Sequence, residues 1–410
     1  MARVLYLTHV FPYPLNSGAK VRAYHMLRHL SSQHTVTLVS FVRRDDTSAA
    51  VEHLRGICGT VYTVPVRRSS WLNLRAGAKG MLTGQPMTVV RDEMPEMAAL
   101  IRRIAGDGAF DVVHADQLSM AGYGRLAARA GGSTVRSLLD DHNAIYLLTQ
   151  RMAATEANTI RRLIMRREAR AFSRYEAAMC RAYDMVLTVT QEDRHHLLAL
   201  FPAAEREHLA GKLIPVPISV DPGQVAPVVH ESDGQPTILH VGTMFWPPNV
   251  GGVLWFAREV LPRIRQQAPG VRFVVVGKDP PAEVRALAAD PAIEVTGYVS
   301  DLKPYLAKAD AMVVPLHAGG GMRVKILDGW LWGLPMVSTP IGAEGVDLAD
   351  GQNILLAAGE EAFAAATLRL LTCPDLNQTL RTSGRAWVEA HYSWQAVYQQ
   401  MDQVYHRLLA

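Results

Sequence analysis

The sequence has few cysteines and none in a metal-binding spacing. Its three cysteines, Cys58, Cys180 and Cys373, lie far apart and form no Cys-x-x-Cys pair. This pattern argues against a disulfide framework and against a zinc knuckle. We interpret the three thiols as reduced, which predicts a cytoplasmic protein.

Long hydrophobic runs and a strong net charge are also lacking. No segment approaches the roughly 20 apolar residues of a membrane span, and MARVLYLTHVFPYP has no signal-peptide core. A net charge of +4 over 410 residues is too small for a dedicated nucleic-acid binder, so we expect no nucleic-acid partner. Hydrophobic residues make up 49% and charged residues 20%, as in ordinary globular proteins of two or three domains.

Short runs rich in Val, Ile and Leu recur along the chain, separated by segments of helical pattern. In the first half they are Arg3–Val10, Thr35–Val42, Asp111–Ala115 and Asp184–Thr190, and in the second half Thr237–Thr243, Arg272–Gly277, Ile293–Gly297, Ala311–Leu316 and Pro335–Thr339. Continuously apolar strands that alternate with amphipathic helices indicate parallel sheets covered on both faces. The sequence therefore predicts an α/β protein with two doubly wound sheets.

A proline-rich segment, IPVPISVDPGQVAPVVHESDGQP, separates the two patterns and is unsuited to the interior of a helix or strand. We place the domain boundary within it, with a first domain of residues 1–225 and a second of residues 226–391. Residues 392–410 carry an apolar stripe at helical spacing and should form a final helix. Ligands of doubly wound domains bind at the carboxyl ends of the strands, so we expect the functional residues to lie there.

The segment GGGMRVKILDGWLWGLP follows one of these predicted strands. Gly319–Gly321 allow close approach of a ligand to the backbone, and the start of the following helix favours an anion. Arg323 and Lys325 would place cations in the first turn, an unfavourable position unless something negative lies opposite. A diphosphate fits this pattern, and Asp328, which we expect about two turns into the helix, could accept hydrogen bonds from the two hydroxyls of a ribose. The alternative is a tight strand-to-helix turn with solvated charges.

This segment resembles the retaining GT-B glycosyltransferases of family four, which carry a Glu-x7-Glu motif that runs into a Gly-x-Pro turn. The resemblance implies a GT-B fold of two Rossmann-like domains facing a cleft, with the last helix crossing back to the first domain. Asp328 corresponds to the family's second glutamate, which holds the donor ribose, whereas Gly320 stands where the first glutamate is found. One branch of the family has a Gly-Gly-x-Arg-x-Lys run here, as this chain does.

Two further segments of the second half carry the resemblance. HVGTMFWPPNVGG, with Gly242 and Thr243, resembles the first glycine turn of the donor domain but lacks the usual Arg and Lys, a role that Arg323 and Lys325 would take over. Gly297, Tyr298 and Val299 match a turn that contacts the nucleobase through its backbone. A plain strand-to-loop turn is the alternative for these three residues.

In the first half, Gly18 lies in the loop where family members usually have Gly-Gly, near the donor phosphates and the acceptor; Ser17 takes the first place. His142 follows an apolar strand and matches the family histidine beside the donor sugar. The neighbouring Asp140 and Asp141 are not in Asp-x-Asp spacing, and the resemblance implies neither a metal nor another cofactor, because cations and helix dipoles stabilise the leaving diphosphate. His114 and Asp116 also end a strand and are weaker candidates for acceptor contacts.

Two segments mix cations with apolar residues: the arginine-rich IRRLIMRREARAFSRYEAAMCRAYD and the shorter VRRSSWLNLRAGAKGML. Each fits peripheral contact with an anionic membrane, at the inner face of the cytoplasmic membrane. Each also fits an ordinary solvated helix face.

The resemblance implies an enzyme that transfers a sugar from a nucleotide diphosphate donor, expected to be a UDP-sugar, to a hydroxyl with retention of configuration. The acceptor would be a glycan, a lipid-linked sugar or a small molecule. Catalysis would rest on His142, Arg323 and Lys325. A nucleotide-sugar epimerase on the same fold and a non-catalytic nucleotide-sugar-binding protein remain alternatives, whereas a dinucleotide oxidoreductase is disfavoured because no strand is followed by Gly-x-Gly-x-x-Gly.

Overall fold

The computed structural model describes residues 1–15, 18–43, 46–319 and 321–410. Its chain contacts divide it into two compact units, Met1–Ser219 with Val397–Ala410, and Val220–Ala396. The sequence-based boundaries, 225/226 and 391/392, fall within a few residues of these divisions, and independent folding of each part stays a prediction. Among the described residues, no helix combines the length and the apolar character needed to cross a bilayer.

The first unit is built on a seven-stranded parallel sheet of order β3-β2-β1-β4-β5-β6-β7. Its strands are β1 (Arg3–Thr8), β2 (Thr35–Val42), β3 (Thr60–Pro65), β4 (Val112–Asp116), β5 (Arg136–Asp141), β6 (Met185–Thr188) and β7 (Leu213–Pro215). Its helices are α1 (Gly18–Gln33), α2 (Ser48–Cys58), α3 (Ser70–Thr83), α4 (Met87–Arg91), α5 (Pro95–Asp107), α6 (Ala121–Gly131), α7 (Ile145–Thr155), α8 (Thr159–Ala182), α9 (Gln191–Ala199) and α10 (Ala203–Ala210), with a 3₁₀ turn at Leu118–Met120.

The second unit has a six-stranded parallel sheet of order β10-β9-β8-β11-β12-β13. Its strands are β8 (Thr237–Val241), β9 (Arg272–Val276), β10 (Ile293–Gly297), β11 (Ala311–Val314), β12 (Met336–Ser338) and β13 (Leu355–Leu356). Its helices are α11 (Pro247–Trp255), α12 (Leu261–Gln267), α13 (Ala282–Arg285), α14 (Lys303–Lys308), α15 (Val324–Leu331), α16 (Glu360–Thr372) and α17 (Pro374–Tyr392), with a π-helical turn at Phe256–Val260 and 3₁₀ turns at Ala286–Ala289 and Ile341–Ala343. The last helix, α18 (Trp394–Leu409), begins at the division between the units.

The observed architecture is the predicted one, two doubly wound α/β sheets. Strands such as β4 and β11 are buried at every residue because helices cover both faces of each sheet. The short strands β7 and β13 and the edge strand β3 were not predicted, and in β3 only Val61 and Val64 are buried, which gives no continuous apolar run. Helix α18 packs on the first unit, where Met401, Val404 and Leu408 join the core that contains Tyr24 and Leu27.

Each sheet has one point at which the strand order reverses direction. In the first unit it lies between β1 and β4, and in the second unit between β8 and β11. Helices leave the sheet on opposite faces at such a point, so the loops beyond the strands splay apart and leave a crevice for a ligand. The loops after these four strands carry most of the residues that the sequence predicts to be functional.

Candidate functional site

The loop between β11 and α15 has a backbone that requires glycine. Gly319 and Gly321 have φ angles of 143° and 68°, which residues with a side chain rarely adopt. A Cβ atom on Gly319 would also lie 2.8 Å from Nη2 of Arg323. Gly320 lies outside the described residues, as does Ser17. Both described residues of the predicted glycine-rich turn therefore require glycine for their backbone conformation, and Gly319 also lacks room for a side chain.

Arg323 is enclosed by this loop. Its guanidinium donates hydrogen bonds to the carbonyl oxygens of Gly321 (2.9 Å) and Ile341 (3.1 Å), and Nη2 lies 3.7 Å from a carboxylate oxygen of Glu344. The side chain is 7% exposed. Arg323 thus holds the glycine loop against the turn that contains Ile341, and its direct contact with a phosphate stays a prediction.

Lys325 lies in the first turn of α15 and reaches the loop that follows β8. Its ammonium donates a 2.8 Å hydrogen bond to Oδ1 of Asn249, whose Nδ2 donates to the carbonyl oxygen of Thr243. A Cβ on Gly242 would lie 3.0 Å from Nζ of Lys325 and 2.9 Å from Nδ2 of Asn249, so a side chain there would displace this pair. The structure thereby brings Gly242, Thr243 and Lys325 together, at the switch point of the second sheet.

The cation of Lys325 is destabilised in the free protein. Burial, together with the positive charge of Arg323, lowers the pKa of Lys325 to about 7, although Asp328 opposes the shift. The helix N-terminus adds partial positive charge of its own. His240, whose Nδ1 bonds the carbonyl oxygen of Val313, adds no cation, because burial and Lys325 lower its pKa to about 3. An anion at this position would relieve the electrostatic cost.

Helix α15 begins at Val324, so Asp328 is in its second turn, close to the predicted depth of about two turns. Burial raises the pKa of Asp328 to about 6, with Lys325 opposing the shift. A largely buried carboxylate next to a lysine can accept two hydrogen bonds from neighbouring hydroxyls.

The proposed nucleobase turn lies at the end of β10. Gly297 is the last residue of this strand, and Tyr298 and Val299 follow it. Gly297 has a φ of 72°, and its carbonyl oxygen accepts a hydrogen bond from the amide of Gly277, at the end of β9. Tyr298 is 74% exposed, so its ring does not pack in the core. A Cβ on Gly277 would lie 1.8 Å from the carbonyl oxygen of Gly242. The ends of β8, β9 and β10 therefore meet at one edge of the sheet, and of their loops the one after β8 contacts Lys325.

In the first unit, His142 belongs to a buried ionic network at the ends of β4 and β5. Its Nε2 lies 2.9 Å from Oδ1 of Asp116 and 3.7 Å from Oδ2 of Asp140. Arg22, from α1, binds Asp140 with Nε and Nη2 and donates from Nη1 to the carbonyl oxygens of Val216 and Pro217. These contacts fix the orientation of the imidazole. Gly18 begins α1 with open space around it, so its contribution stays a prediction.

The pKa values of the two carboxylates of this network shift in opposite directions. Burial raises the pKa of Asp116 despite the opposing effect of His142, and one of its oxygens has no hydrogen-bond partner among the described residues. Burial would raise the pKa of Asp140 as well, but Arg22 and His142 hold it below its usual value. Asp116, Asp140 and His142 also present ligand atoms within 4.8 Å of one another, a spacing compatible with a cation. Arg22 already neutralises Asp140, which makes this cluster a poorer site for a cation. Metal-independent chemistry stays a prediction.

His114 does not reach this site. Its ring lies in the core, where Nδ1 is 2.9 Å from the hydroxyl of Tyr405 in α18 and the ring contacts Tyr6 edge to face. Burial lowers its pKa to about 3, so it is neutral. We assign His114 to the packing of α18. The sequence did not predict three supporting residues, Arg22, Asn249 and Glu344. Of these, only Asn249 could have been identified from its neighbours, because it is a polar residue at the start of an apolar helix.

Behind His142, three carboxyl groups are buried together. Both carboxyl oxygens of Asp141 are buried, and the backbone amide of Asn143 offsets this burial only in part. Glu176 accepts from the amides of Ile145 and Tyr146 at the start of α7, and Asp193 accepts from the amide of Ala144. Burial, together with the other two charges, raises the pKa of Asp141 well above its usual value, and burial raises that of Glu176 to about 8. The group holds α7 beside His142 and retains protons at neutral pH.

Asp141→Asn should stabilise the protein at pH 8 and have less effect at pH 5. The folded state keeps the proton of Asp141, whereas the unfolded chain releases it above about pH 4. The protonated Asp141 of the wild type therefore contributes its full stability below pH 4, and this contribution is lost as the pH rises. An amide mimics the protonated form at every pH. We expect the melting temperature at pH 8 to rise by roughly 2–4 °C, which corresponds to about 1 kcal/mol. Asp107→Asn, at an exposed position, is the control; a variant that is less stable than the wild type at pH 8 would contradict this charge assignment.

Comparison with known proteins agrees with this architecture. HepE from Anabaena, solved with UDP and glucose, superposes with a TM-score of 0.64 at 12% identity, covering 99% of this chain and 100% of that one. Sucrose-phosphate synthase from Thermosynechococcus elongatus gives a TM-score of 0.67 at 17% identity over 99% of both chains. At these identities the likeness shows the fold, which is that of the GT-B glycosyltransferases.

Family models extend the assignment from fold to family. Residues 16–209 match the model described as Glycosyltransferase Family 4, and residues 235–373 match that described as Glycosyl transferases group 1. Together the two models cover most of the chain. A protein of Klebsiella pneumoniae described as an uncharacterized 44.6 kDa protein in the cps region is 22% identical over 382 residues, 89% of each chain. The chain belongs to the family-four, group 1 glycosyltransferases and is a glycosyltransferase.

Proposed function

We propose that this protein is a retaining glycosyltransferase that uses a nucleoside diphosphate sugar, with UDP as the expected nucleotide. The observation that carries the proposal is the ammonium of Lys325, buried beside Gly242 and Asn249 in surroundings that favour an anion. Asp328, in the next turn of the same helix, suits the ribose. The Anabaena structure with UDP and glucose supports UDP as the first nucleotide to test.

In this mechanism the bond between the anomeric carbon and the diphosphate oxygen breaks while an acceptor hydroxyl bonds to the same carbon. The acceptor proton passes to the leaving diphosphate, so no protein nucleophile is required. Lys325 would stabilise the charge that develops on the diphosphate, with Arg323 keeping the glycine loop in place. His142, held by Asp116, would lie beside the donor sugar. Binding of a donor without any turnover would instead favour a non-catalytic protein.

The acceptor would be a glycan, a lipid-linked sugar or a small molecule. The Klebsiella relative from a cps region supports a role in surface polysaccharide synthesis, the first acceptor class to test. Conversion of a donor into an isomeric nucleotide sugar without any acceptor would favour the epimerase alternative.

Thermal unfolding with a nucleotide panel tests the donor assignment. A ligand at 100 times its dissociation constant adds about 2.7 kcal/mol to the free energy of unfolding, which a melting curve resolves easily. We expect UDP and one UDP-sugar to raise the melting temperature, and NAD to have no effect. Proton NMR of the product from the selected donor then gives the anomeric configuration; an inverted product would overturn the retaining mechanism, and loss of activity in EDTA would overturn metal independence.

A further inference from the structure

Helix α3 turns apolar side chains toward solvent. Trp71, Leu74, Met81 and Leu82 are 64%, 74%, 65% and 89% exposed. Their spacing places them along one side of the helix, whereas Ala76 and Gly80 face the protein. A surface helix of a globular protein ordinarily buries its apolar side. This helix therefore presents an unpartnered apolar stripe.

The first turns of α8 present a second apolar stripe. Ile160, Leu163 and Ile164 are 72%, 68% and 47% exposed. Arg167, one turn further along α8, donates hydrogen bonds to the carbonyl oxygens of Gly80 and Gln85, so the end of α3 is held against α8. We call these seven apolar residues of α3 and α8 the docking face.

Cations outnumber carboxylates around the docking face. Cations that flank it are Arg67, Arg68, Arg75 and Lys79 on the α3 side and Arg161, Arg162, Arg166, Arg170 and Arg174 on α8. Arg67, Arg68 and Lys79 pair with Glu96, Asp92 and Glu93. The other six form no ion pair with the residues that the structure describes. Apolar side chains ringed by uncompensated cations suit the surface of an anionic bilayer.

A basic cavity adjoins α3. It has a volume of about 540 Å³ and is bordered by α3, α5, α6 and α8. Arg75, Arg102, Arg125 and Arg129 line it, and none forms an ion pair within the described part of the chain. The hydroxyl of Tyr175, also in its wall, is buried, and apart from the nearby backbone amide of Gly122 it has no hydrogen-bond partner there. Burial raises the pKa of Tyr175 to about 12, so the hydroxyl remains a neutral donor. Arginines and a phenol donor are the groups that bind phosphate.

We propose that this face of the first unit docks on a bilayer that contains anionic lipids, with the docking face in the headgroup region and a lipid phosphate in the adjoining cavity. The two parts act together: apolar insertion needs the cations to bring the protein to the surface, and a phosphate in the cavity fixes the orientation of α3. Membrane docking does not depend on the donor chemistry above, and either proposal can fail without the other.

Vesicle co-sedimentation tests this proposal. The wild-type protein should sediment with vesicles of phosphatidylcholine and phosphatidylglycerol but not with phosphatidylcholine alone, and salt should release it. Leu74→Ser combined with Leu82→Ser should weaken the partition at least tenfold. Arg125→Ala combined with Arg129→Ala should weaken it about thirtyfold, since each arginine near the surface contributes about a fivefold effect. Val229→Ser and Arg258→Ala, at exposed positions in the second unit, are the matched controls.

Each outcome of this experiment decides the proposal. Charge-dependent sedimentation that falls in both double variants and not in the controls supports it. Failure of the wild type to sediment with either vesicle overturns the proposal. This holds even if calorimetry detects binding of inorganic phosphate, because the cavity would then be a site for a soluble phosphate. Undiminished binding in either double variant, with an unchanged melting temperature, overturns the assignment to this face.

Discussion

Lys325→Ala is expected to lower kcat by at least tenfold and by about a hundredfold if its ammonium is the main donor to the leaving diphosphate. The wild-type ammonium is positioned by Asn249 and lies against the backbone of Gly242, and alanine leaves no cation at this point. The measurement is release of nucleoside diphosphate from the donor that the thermal panel selects. Lys308→Ala, which removes an exposed lysine of the same unit, should be neutral. Activity of Lys325→Ala within twofold of the wild type would exclude this role.

The same lysine predicts a pH dependence. Because burial and Arg323 lower its pKa to about 7, the ammonium is fully charged only below this value. For the free enzyme, kcat/KM should therefore fall as the pH rises through about 7, and a bound diphosphate should shift the fall in kcat to higher pH. Lys325→Arg would keep the charge and flatten the profile, at some cost in geometry. A wild-type profile that stays flat from pH 6 to 9 would show that Lys325 is charged throughout or takes no part.

Asp328→Ala should weaken binding of the nucleoside diphosphate by at least about a hundredfold. A carboxylate that accepts hydrogen bonds from both ribose hydroxyls contributes roughly 1.5–3 kcal/mol for each bond that it makes. Isothermal titration with UDP and with 2′-deoxy-UDP tests the contact itself. The wild type should bind the deoxy compound about tenfold more weakly or worse, whereas Asp328→Ala should bind the two nucleotides alike.

Glu283→Ala, at an exposed position in the same unit, is the matched control and should retain the discrimination. Since burial raises the pKa of Asp328 to about 6, ribose recognition should also weaken as the pH falls through this value. If Asp328→Ala still discriminated between UDP and 2′-deoxy-UDP as the wild type does, the ribose would be held elsewhere. A deoxy effect that disappears only in the variant would confirm the assignment.

The sequence predicted the candidate site unevenly. Gly319, Gly321, Lys325 and Asp328 were found together because they fall within one short segment between a strand and a helix. The partners of these residues could not be found in this way. Asn249 and Glu344 are far from Lys325 and Arg323 in the chain, and only the packing of β8, β11 and β12 side by side brings them into contact.

The first residue of a helix depends on the loop before it. The apolar spacing around Met322 is helical, yet α15 begins at Val324, because two glycines in left-handed conformations hold the chain out of the helix until Arg323. Asp328 thus lies in the second turn. His142 and Asp116 each mark a strand end in the sequence, but their 2.9 Å contact depends on β4 and β5 being neighbours in the sheet.

By itself the sequence determined the two doubly wound sheets, the family and the strand-end position of most candidate residues. These features depend on local pattern: continuous apolar runs, helical spacing and glycines in a fixed order. Only the tertiary structure decided which charges are buried together, that the glycine loop encloses Arg323 while Lys325 reaches Gly242, and that α3 turns its apolar side outward. The physical reason is that burial and charge pairing arise from contacts between segments far apart in the chain, and these contacts exist only once the sheets have formed.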